Sequence, residues 1–459
     1  MKILFAASEV QPFSKVGGLA DVAAALPARL REIGHDVRVV SPCHASSLAA
    51  FSASNNKRTL AVQLPGRTVD VEIATVIGDG GVPVDLVLDH DFFGRPAVYG
   101  EPDDLARYQF FCRAILQMLL TEKWTPDVLH LNDWHTAPLA FGLRNIAWKF
   151  PILRGIASVM TIHNLRYRGP DDLNDYLSQA IYYSDVITTV SPTYAREILT
   201  PAYGEGLESL LELRKDSLWG IVNGLNYATF NPRTDPEPPF PFDLSTLEIR
   251  SQNRVALRAE LGLYDTQGPI AAVISRLTEQ KGIDLVLQAL PELLASGAQL
   301  VVLGQGDPSL EAGLQVAAAE HPDRVHFAAR FDEPFAHRIY AGADILLMPS
   351  RYEPCGLGQL MAMRYGCIPI GRRTGGLADT IIDADEHPDA ATGFLFDEFS
   401  SFAFTGAFER AVRTFRNHKA WERLQRNAMS RDFSWEASAN HYLEAYAAAL
   451  RARGILPLE

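Results

Sequence analysis

Lys15-Val16-Gly17-Gly18-Leu19-Ala20-Asp21-Val22 stands between a short apolar run, residues 2–7, and an amphipathic run that starts at Leu19. A strand, a glycine turn and a helix in that order open a nucleotide-type βα unit. Paired glycines carry no Cβ, so a phosphate or a sugar can press against bare backbone. The helix that follows aims its first N–H groups at such an anion. Lys15 adds a full positive charge beside them. The same core returns in the far half as Thr374-Gly375-Gly376-Leu377-Ala378-Asp379-Thr380. Two such turns in one chain predict two nucleotide-fold domains.

The pattern around each turn agrees. Short apolar runs at 2–7, 37–41, 84–89, 128–131, 159–162 and 186–189 read as strands. Amphipathic runs at 19–33, 105–120, 138–147 and 192–199 read as helices. Gly34 is placed to end the first of them. Residues 231–243 then carry five prolines and cannot be helical. Beyond them strands at 270–274, 299–303, 325–328, 345–348 and 368–371 alternate with helices again, and an alanine-rich helix covers 437–451. Strand–helix alternation implies parallel sheets covered on both faces. The expectation is an α/β chain with Rossmann-like domains at 1–230 and 244–435, a linker at 231–243, and a last segment, 436–459, that returns to the first domain.

Composition narrows the function. The 459 residues carry 42 basic and 55 acidic side chains, a net charge of −13, which makes nucleic acid a poor partner. No stretch approaches the ~20 apolar residues that span a bilayer, so no membrane segment is expected. Cys43, Cys112, Cys355 and Cys367 show neither metal spacing nor a disulfide framework. They read as reduced thiols of a cytoplasmic protein.

Several strand ends carry chemistry. Ser275-Arg276-Leu277-Thr278-Glu279-Gln280-Lys281-Gly282 follows a strand and offers a forked guanidinium and a point charge to a diphosphate. Taken alone, Arg276 and Lys281 read equally well as solvated surface cations. In Pro349-Ser350-Arg351-Tyr352-Glu353-Pro354-Cys355-Gly356-Leu357-Gly358, Pro354 forces Glu353 to be extended, and the glycines open a helix. Glu353 suits sugar hydroxyls; its bland reading is a surface ion pair. His163 and Asn164 end one strand, and Asp133 ends another, where it also reads as a helix cap.

Together these motifs resemble bacterial glycogen synthase and plant starch synthase, family five of the retaining glycosyltransferases. The resemblance runs nearly end to end. It includes Ser8-Glu9-Val10 before the lysine–glycine turn, Asn132-Asp133-Trp134-His135, Thr161-Ile162-His163-Asn164-Leu165 and Val190-Ser191-Pro192-Thr193-Tyr194-Ala195. It continues through Asn223-Gly224, His337-Arg338-Ile339-Tyr340, Glu353-Pro354-Cys355-Gly356-Leu357 and the second glycine turn. The resemblance implies a GT-B fold, two Rossmann-like domains facing across a cleft, with the acceptor side first and the nucleotide-sugar side second. It implies transfer of glucose from ADP-glucose to the non-reducing end of an α-1,4-glucan or malto-oligosaccharide, with no cofactor and no metal.

Carried over by motif, Lys15, Gly17, Gly18, Asn223, Cys355, Gly356, Leu357 and Phe331 belong to the donor site. Arg276 and Lys281 fall on the distal phosphate, Glu353 on glucose hydroxyls and His163 beside the reacting sugar. Glu9, Asp21, Asp133 and Asn164 fall on the acceptor side or the cleft. Three departures stand out. The segment from His163-Asn164 to Val190-Ser191-Pro192 is several tens of residues shorter than in most relatives. Arg166 and Arg168 replace neutral residues there. Gly358 stands for the usual threonine and Phe331 for a frequent tyrosine. The arginines raise a second reading, a small or phosphorylated sugar acceptor. A non-catalytic glucan-binding relative is a third, opposed by the presence of all the charged motif residues. An epimerase or a dinucleotide dehydrogenase is a fourth, opposed by the ordered motifs.

Overall fold

The chain folds around two separate sheets. A computed structural model describes residues 1–169 and 175–455. Two compact units account for them, one formed by 1–224 with 435 onward, the other by 225–434.

The first unit holds β1 (Lys2–Ala6), β2 (Asp36–Pro42), β3 (Lys57–Leu64), β4 (Arg67–Ile77), β5 (Pro83–Leu88), β6 (Val128–Asn132), β7 (Ala157–Ile162), β8 (Val186–Thr189) and β9 (Leu218–Gly220). Their order is β3-β4-β5-β2-β1-β6-β7-β8-β9, parallel from β5 to β9. The parallel strands are near-continuous apolar runs because helices cover both faces. Between them, the Gly18–Glu32 helix buries a stripe of Leu19, Val22, Ala23, Leu26 and Leu30. It stops at Gly34, whose φ of 99° is left-handed. The His35 and Gly34 N–H groups donate to Leu30 and Arg31 carbonyls at 3.1 and 3.0 Å, so both orphan carbonyls are satisfied. The chain order reverses between β1 and β6, whose Ile3 and Val128 lie in register.

The second unit holds β10 (Ile270–Ile274), β11 (Gln299–Leu303), β12 (Val325–Ala328), β13 (Ile345–Met348), β14 (Ile368–Arg372) and β15 (Phe394–Phe396). All neighbours are parallel, in the order β12-β11-β10-β13-β14-β15. That is the doubly wound dinucleotide-binding order, and it reverses between β10 and β13. Ile270, Ala272, Val301, Leu303 and Leu346 form its core with Phe335, Ile339 and Tyr340.

Two expectations change. The proline-rich run 231–243 is no free linker, because the second unit already begins at Leu225. Asp235 and Phe242 are buried in that unit. Asp235 accepts from His337 Nδ1 at 2.7 Å and from the Tyr365 hydroxyl, which fastens the run to the sheet's helices. The chain instead leaves the first unit after Gly224, where a Cβ would come within 2.6 Å of Trp435. The Trp435–Ala452 helix lies in the first unit, where Tyr442, Tyr446 and Ala449 pack with Ile3, Phe5 and Val159. The last four residues of the 436–459 segment lie outside the described residues. The sequence reading also passed over the β3–β4 hairpin, β9 and β15. The hairpin strand β3 buries only Leu60 and Val62, so its apolar signal is thin.

Candidate functional site

Ligands of open parallel sheets sit beyond the carboxyl ends of strands where the order reverses. In the first unit that point lies between β1 and β6, and Glu9 and Asp133 follow those strands. Glu9 is 1% exposed, and its carboxylate accepts the Val16 N–H and, at 3.2 Å, the Gly17 N–H. Burial pushes its carboxyl up to about 7 against the pull of these N–H groups. The first glycine turn therefore closes over an internal carboxyl group. Gly17 and Gly18 are still open to ligand: Gly18 is exposed, and a Cβ on Gly17 would meet only Glu9 Oε1 and the Tyr99 hydroxyl, at 3.5 and 3.7 Å. Lys15 Nζ lies 2.9 Å from Asp21 Oδ1 and 3.3 Å from Gln11 Oε1.

Asp133 does not cap its helix. Its φ is 53°, a strained value for a residue with a side chain. The strain aims Oδ1 at the His163 N–H, 2.8 Å away. Burial raises its carboxyl to about 7, with the Glu9 charge adding to the shift. His163 Nε2 lies 2.9 Å from Asn132 Oδ1, and Asn132 is oriented by its amide donating to the Ala6 carbonyl at 3.0 Å. A carbonyl oxygen only accepts, so His163 carries its proton on Nε2 and presents the Nδ1 lone pair. Burial depresses its pKa to about 4, so the ring is neutral. The sequence reading missed the contact of Asn132 with the His163 ring, although Asn132 stands inside the quoted Asn-Asp-Trp-His run.

The remaining first-unit residues divide. Asn164 Oδ1 accepts the Arg166 N–H at 3.1 Å, which shapes the turn after His163. Arg166 is exposed. Arg168 is engaged within the unit, pairing with Asp175 and donating to the Glu205 carbonyl at 2.5 Å. That removes it as a ready cation for an anionic acceptor. Asn223 follows the edge strand β9. It is buried, with Oδ1 lacking a partner.

In the second unit the reversal lies between β10 and β13. Arg276 and Lys281 follow β10, and Glu353 follows β13. Arg276 is exposed, with no side-chain hydrogen bond or ion pair among the described residues. Lys281 and Glu353, read separately in the sequence, meet: Lys281 Nζ lies 2.9 and 2.7 Å from Glu353 Oε1 and Oε2. Ser350 Oγ donates to Oε2 at 2.9 Å, a partner the sequence reading missed three residues upstream. Glu353 is 4% exposed, so the carboxylate turns inward rather than standing off the strand end. Ser275 Oγ and Thr278 Oγ1 are buried beside this loop without partners. Phe331 is 75% exposed after β12, an aromatic face open to a ring.

The second glycine turn has another duty. Cβ atoms on Gly375 and Gly376 would lie 2.0 and 1.9 Å from the Glu353 and Cys355 carbonyl oxygens. The Gly376 N–H donates to the Glu353 carbonyl at 3.0 Å. Here the protein's own backbone presses on the glycines. Gly356 has a φ of 69°, and a Cβ there would strike Gln359 Oε1 at 2.4 Å. Gln359 Nε2 donates to the Cys355 carbonyl at 3.0 Å, and Leu357 precedes the Gly358–Arg364 helix. Among the described residues no group of three or more His, Cys, Asp or Glu is arranged to hold a metal, and no helix is long and apolar enough to cross a membrane.

Comparison with known proteins covers the whole chain. Residues 2–213 match the starch synthase catalytic domain family, and 256–429 match glycosyl transferases group 1. Glycogen synthase 2 of Geobacter sulfurreducens is 41% identical over 99% of this chain and 100% of that protein. Glycogen synthase of Desulforudis audaxviator is 39% identical over 98% and 97%. The catalytic domain of starch synthase IV from Arabidopsis thaliana, solved with ADP and acarbose, aligns with a TM-score of 0.87 and 32% identity over 99% of both chains. The sucrose-phosphate synthase of Thermosynechococcus elongatus shares the fold, at a TM-score of 0.65 and 18% identity over 98% and 99%.

Proposed function

We infer the reaction from one premise: the chain belongs to the glycogen and starch synthase family of glycosyltransferases. Its two sheets are those of the GT-B fold. The reaction proposed is transfer of glucose from ADP-glucose to the non-reducing end of an α-1,4-glucan, with retention. The observation that carries it is the Arg276, Lys281 and Glu353 group at the β10–β13 reversal. An exposed arginine and a lysine paired with a buried carboxylate suit a nucleotide sugar's charge and hydroxyls. The starch synthase solved with ADP supports the nucleotide, and its acarbose supports a glucan-like partner.

In this reading Arg276 and Lys281 meet the distal phosphate, and Lys15, beside the first glycine turn, is read as a phosphate ligand. Phe331 stacks on the base, and the Cys355–Leu357 backbone lies near sugar and phosphate. Glu353, held by Lys281 and Ser350, accepts from glucose hydroxyls. The neutral His163 offers Nδ1 to a sugar hydroxyl. The bond from C1 to the phosphate oxygen breaks, and its electron pair leaves with ADP. The acceptor hydroxyl bonds to C1 on the same face and passes its proton to the leaving phosphate. Charge grows on the diphosphate, so fixed cations act most strongly in the transition state. Side-chain cations rather than a divalent ion balance that charge. The four buried free thiols suit a reducing cytoplasm.

A donor-by-acceptor matrix tests this. ADP-glucose and UDP-glucose are each paired with glycogen, maltotriose and glucose 1-phosphate, with and without EDTA. The expected result is lengthening of glycogen and maltotriose from ADP-glucose, unaffected by EDTA. Transfer only to glucose 1-phosphate, or loss with EDTA restored by a divalent ion, would contradict it.

A further inference from the structure

Beneath the first glycine turn lies a carboxylate that solvent does not reach. Glu9 accepts the Val16 and Gly17 N–H groups. The Gly18–Glu32 helix has no side-chain cap of its own, since its N-cap is Gly17. Glu9 supplies the missing acceptor from the end of β1. A buried carboxylate is costly unless hydrogen-bonded, and these are the bonds that hold it. Asp21, in the helix's first turn, repels Glu9 and in turn pairs with Lys15 at 2.9 Å. Glu9, the turn backbone, Lys15 and Asp21 thus form one connected circuit.

We propose that Glu9 is a positioning residue for the donor, acting through the turn rather than on the acceptor. It clamps the Val16 and Gly17 backbone so that Lys15 is aimed outward and the two glycines keep a bare surface. The proposal rests on the reading of Lys15 as a phosphate ligand, and it departs from the sequence expectation that placed Glu9 on the acceptor side. Substrate need never touch Glu9 for its loss to be felt.

The test is a double-mutant cycle in the full chain with Glu9→Ala, Lys15→Ala and the pair, plus Glu9→Gln. Removing the shared acceptor of the Val16 and Gly17 N–H groups should raise the KM for ADP-glucose on the order of ten-fold. The KM for maltotriose should stay within about two-fold, a split that general loosening of the fold does not produce. In the Lys15→Ala background the Glu9 effect should largely vanish, because residues that act as one unit are not additive. Glu9→Gln keeps one carbonyl acceptor and should recover part of the loss; it also runs the cycle if Glu9→Ala fails to fold. Additive effects, or a rise confined to the acceptor KM, would overturn the proposal. If the wild type does not turn over ADP-glucose, the reaction proposed above falls. The same cycle, read by calorimetric titration with ADP, then decides the role of Glu9.

Discussion

The two Gly-Gly-Leu-Ala-Asp turns share a sequence and divide in use. In the first unit Gly18 is exposed and Gly17 has room above it, while the N–H groups beneath are taken by Glu9. In the second unit Gly375 and Gly376 are buried, and backbone carbonyls stand where their Cβ atoms would be. The first turn is bare toward open space; the second is bare toward the loop that carries Glu353. An identical motif therefore predicts a close approach without saying what approaches. A glycine pair reports that space is needed, and only the packing reveals whether substrate or protein fills it.

The largest expected effect separates the turns outright. Gly376→Ala drives a methyl into the Cys355 carbonyl, and Gly375 adds a φ of 44°. Gly376→Ala should cost more than about 4 kcal/mol in denaturant unfolding. Gly17→Ala meets nothing closer than 3.5 Å and should cost under about 1 kcal/mol while weakening donor binding. Equal stability losses would break the comparison.

The next separates two cations of the second unit. Arg276→Ala and Lys281→Ala should each lower turnover by about two decades, near 3 kcal/mol of transition-state stabilisation. Their stabilities should differ. Arg276 is exposed, so its removal should cost under about 0.5 kcal/mol. Removing Lys281 leaves Glu353, 4% exposed, without its ion-pair partner, at a cost of about 3 kcal/mol. Parallel unfolding and rate measurements on both variants check this.

A smaller effect concerns pH in the first unit. Glu9 is raised from 4.5 to about 7, so the folded chain keeps a proton that the unfolded chain releases. Its contribution to stability falls as pH rises from about 4.5 to about 7, by at most about 1.4 kcal/mol per pH unit. His163, depressed from 6.5 to about 4, works oppositely: its contribution is lost as pH falls across that window. Glu9→Gln removes only the first trend. Its stability should rise more steeply than the wild type's between pH 5 and 7 in denaturant titrations. An unchanged slope would remove Glu9 from the account.

The smallest concerns Arg168. Bound to Asp175 and the Glu205 carbonyl, it holds the chain after His163 rather than waiting for an anion. Arg168→Gln should cost about 1 kcal/mol or less and leave the ranking of glycogen, maltotriose and glucose 1-phosphate unaltered. A changed ranking would restore the anionic-acceptor reading.

The parallel strands were legible in the sequence because burial on both faces makes them continuous apolar runs. The β3–β4 hairpin was not, since half its side chains face water. Prolines at 231–243 rightly excluded helix but said nothing of Asp235, whose partners His337 and Tyr365 lie a hundred residues away or more. The charged residues of the site were legible one by one. Their pairings were not: Lys281 meets Glu353 across 72 residues, and His163 meets Asn132 across 31, separations no local pattern records. The strain at Asp133 was likewise invisible, since an aspartate at a strand end reads as a cap.

Hydrogen–deuterium exchange of the two glycine turns, with and without ADP-glucose, tests the contrast most directly. The account predicts that amides at 375–376 are protected in the free chain and unchanged by ligand, while Gly18 exchanges freely and gains protection when ADP-glucose binds. New protection confined to 375–376, with none at 17–18, would contradict it.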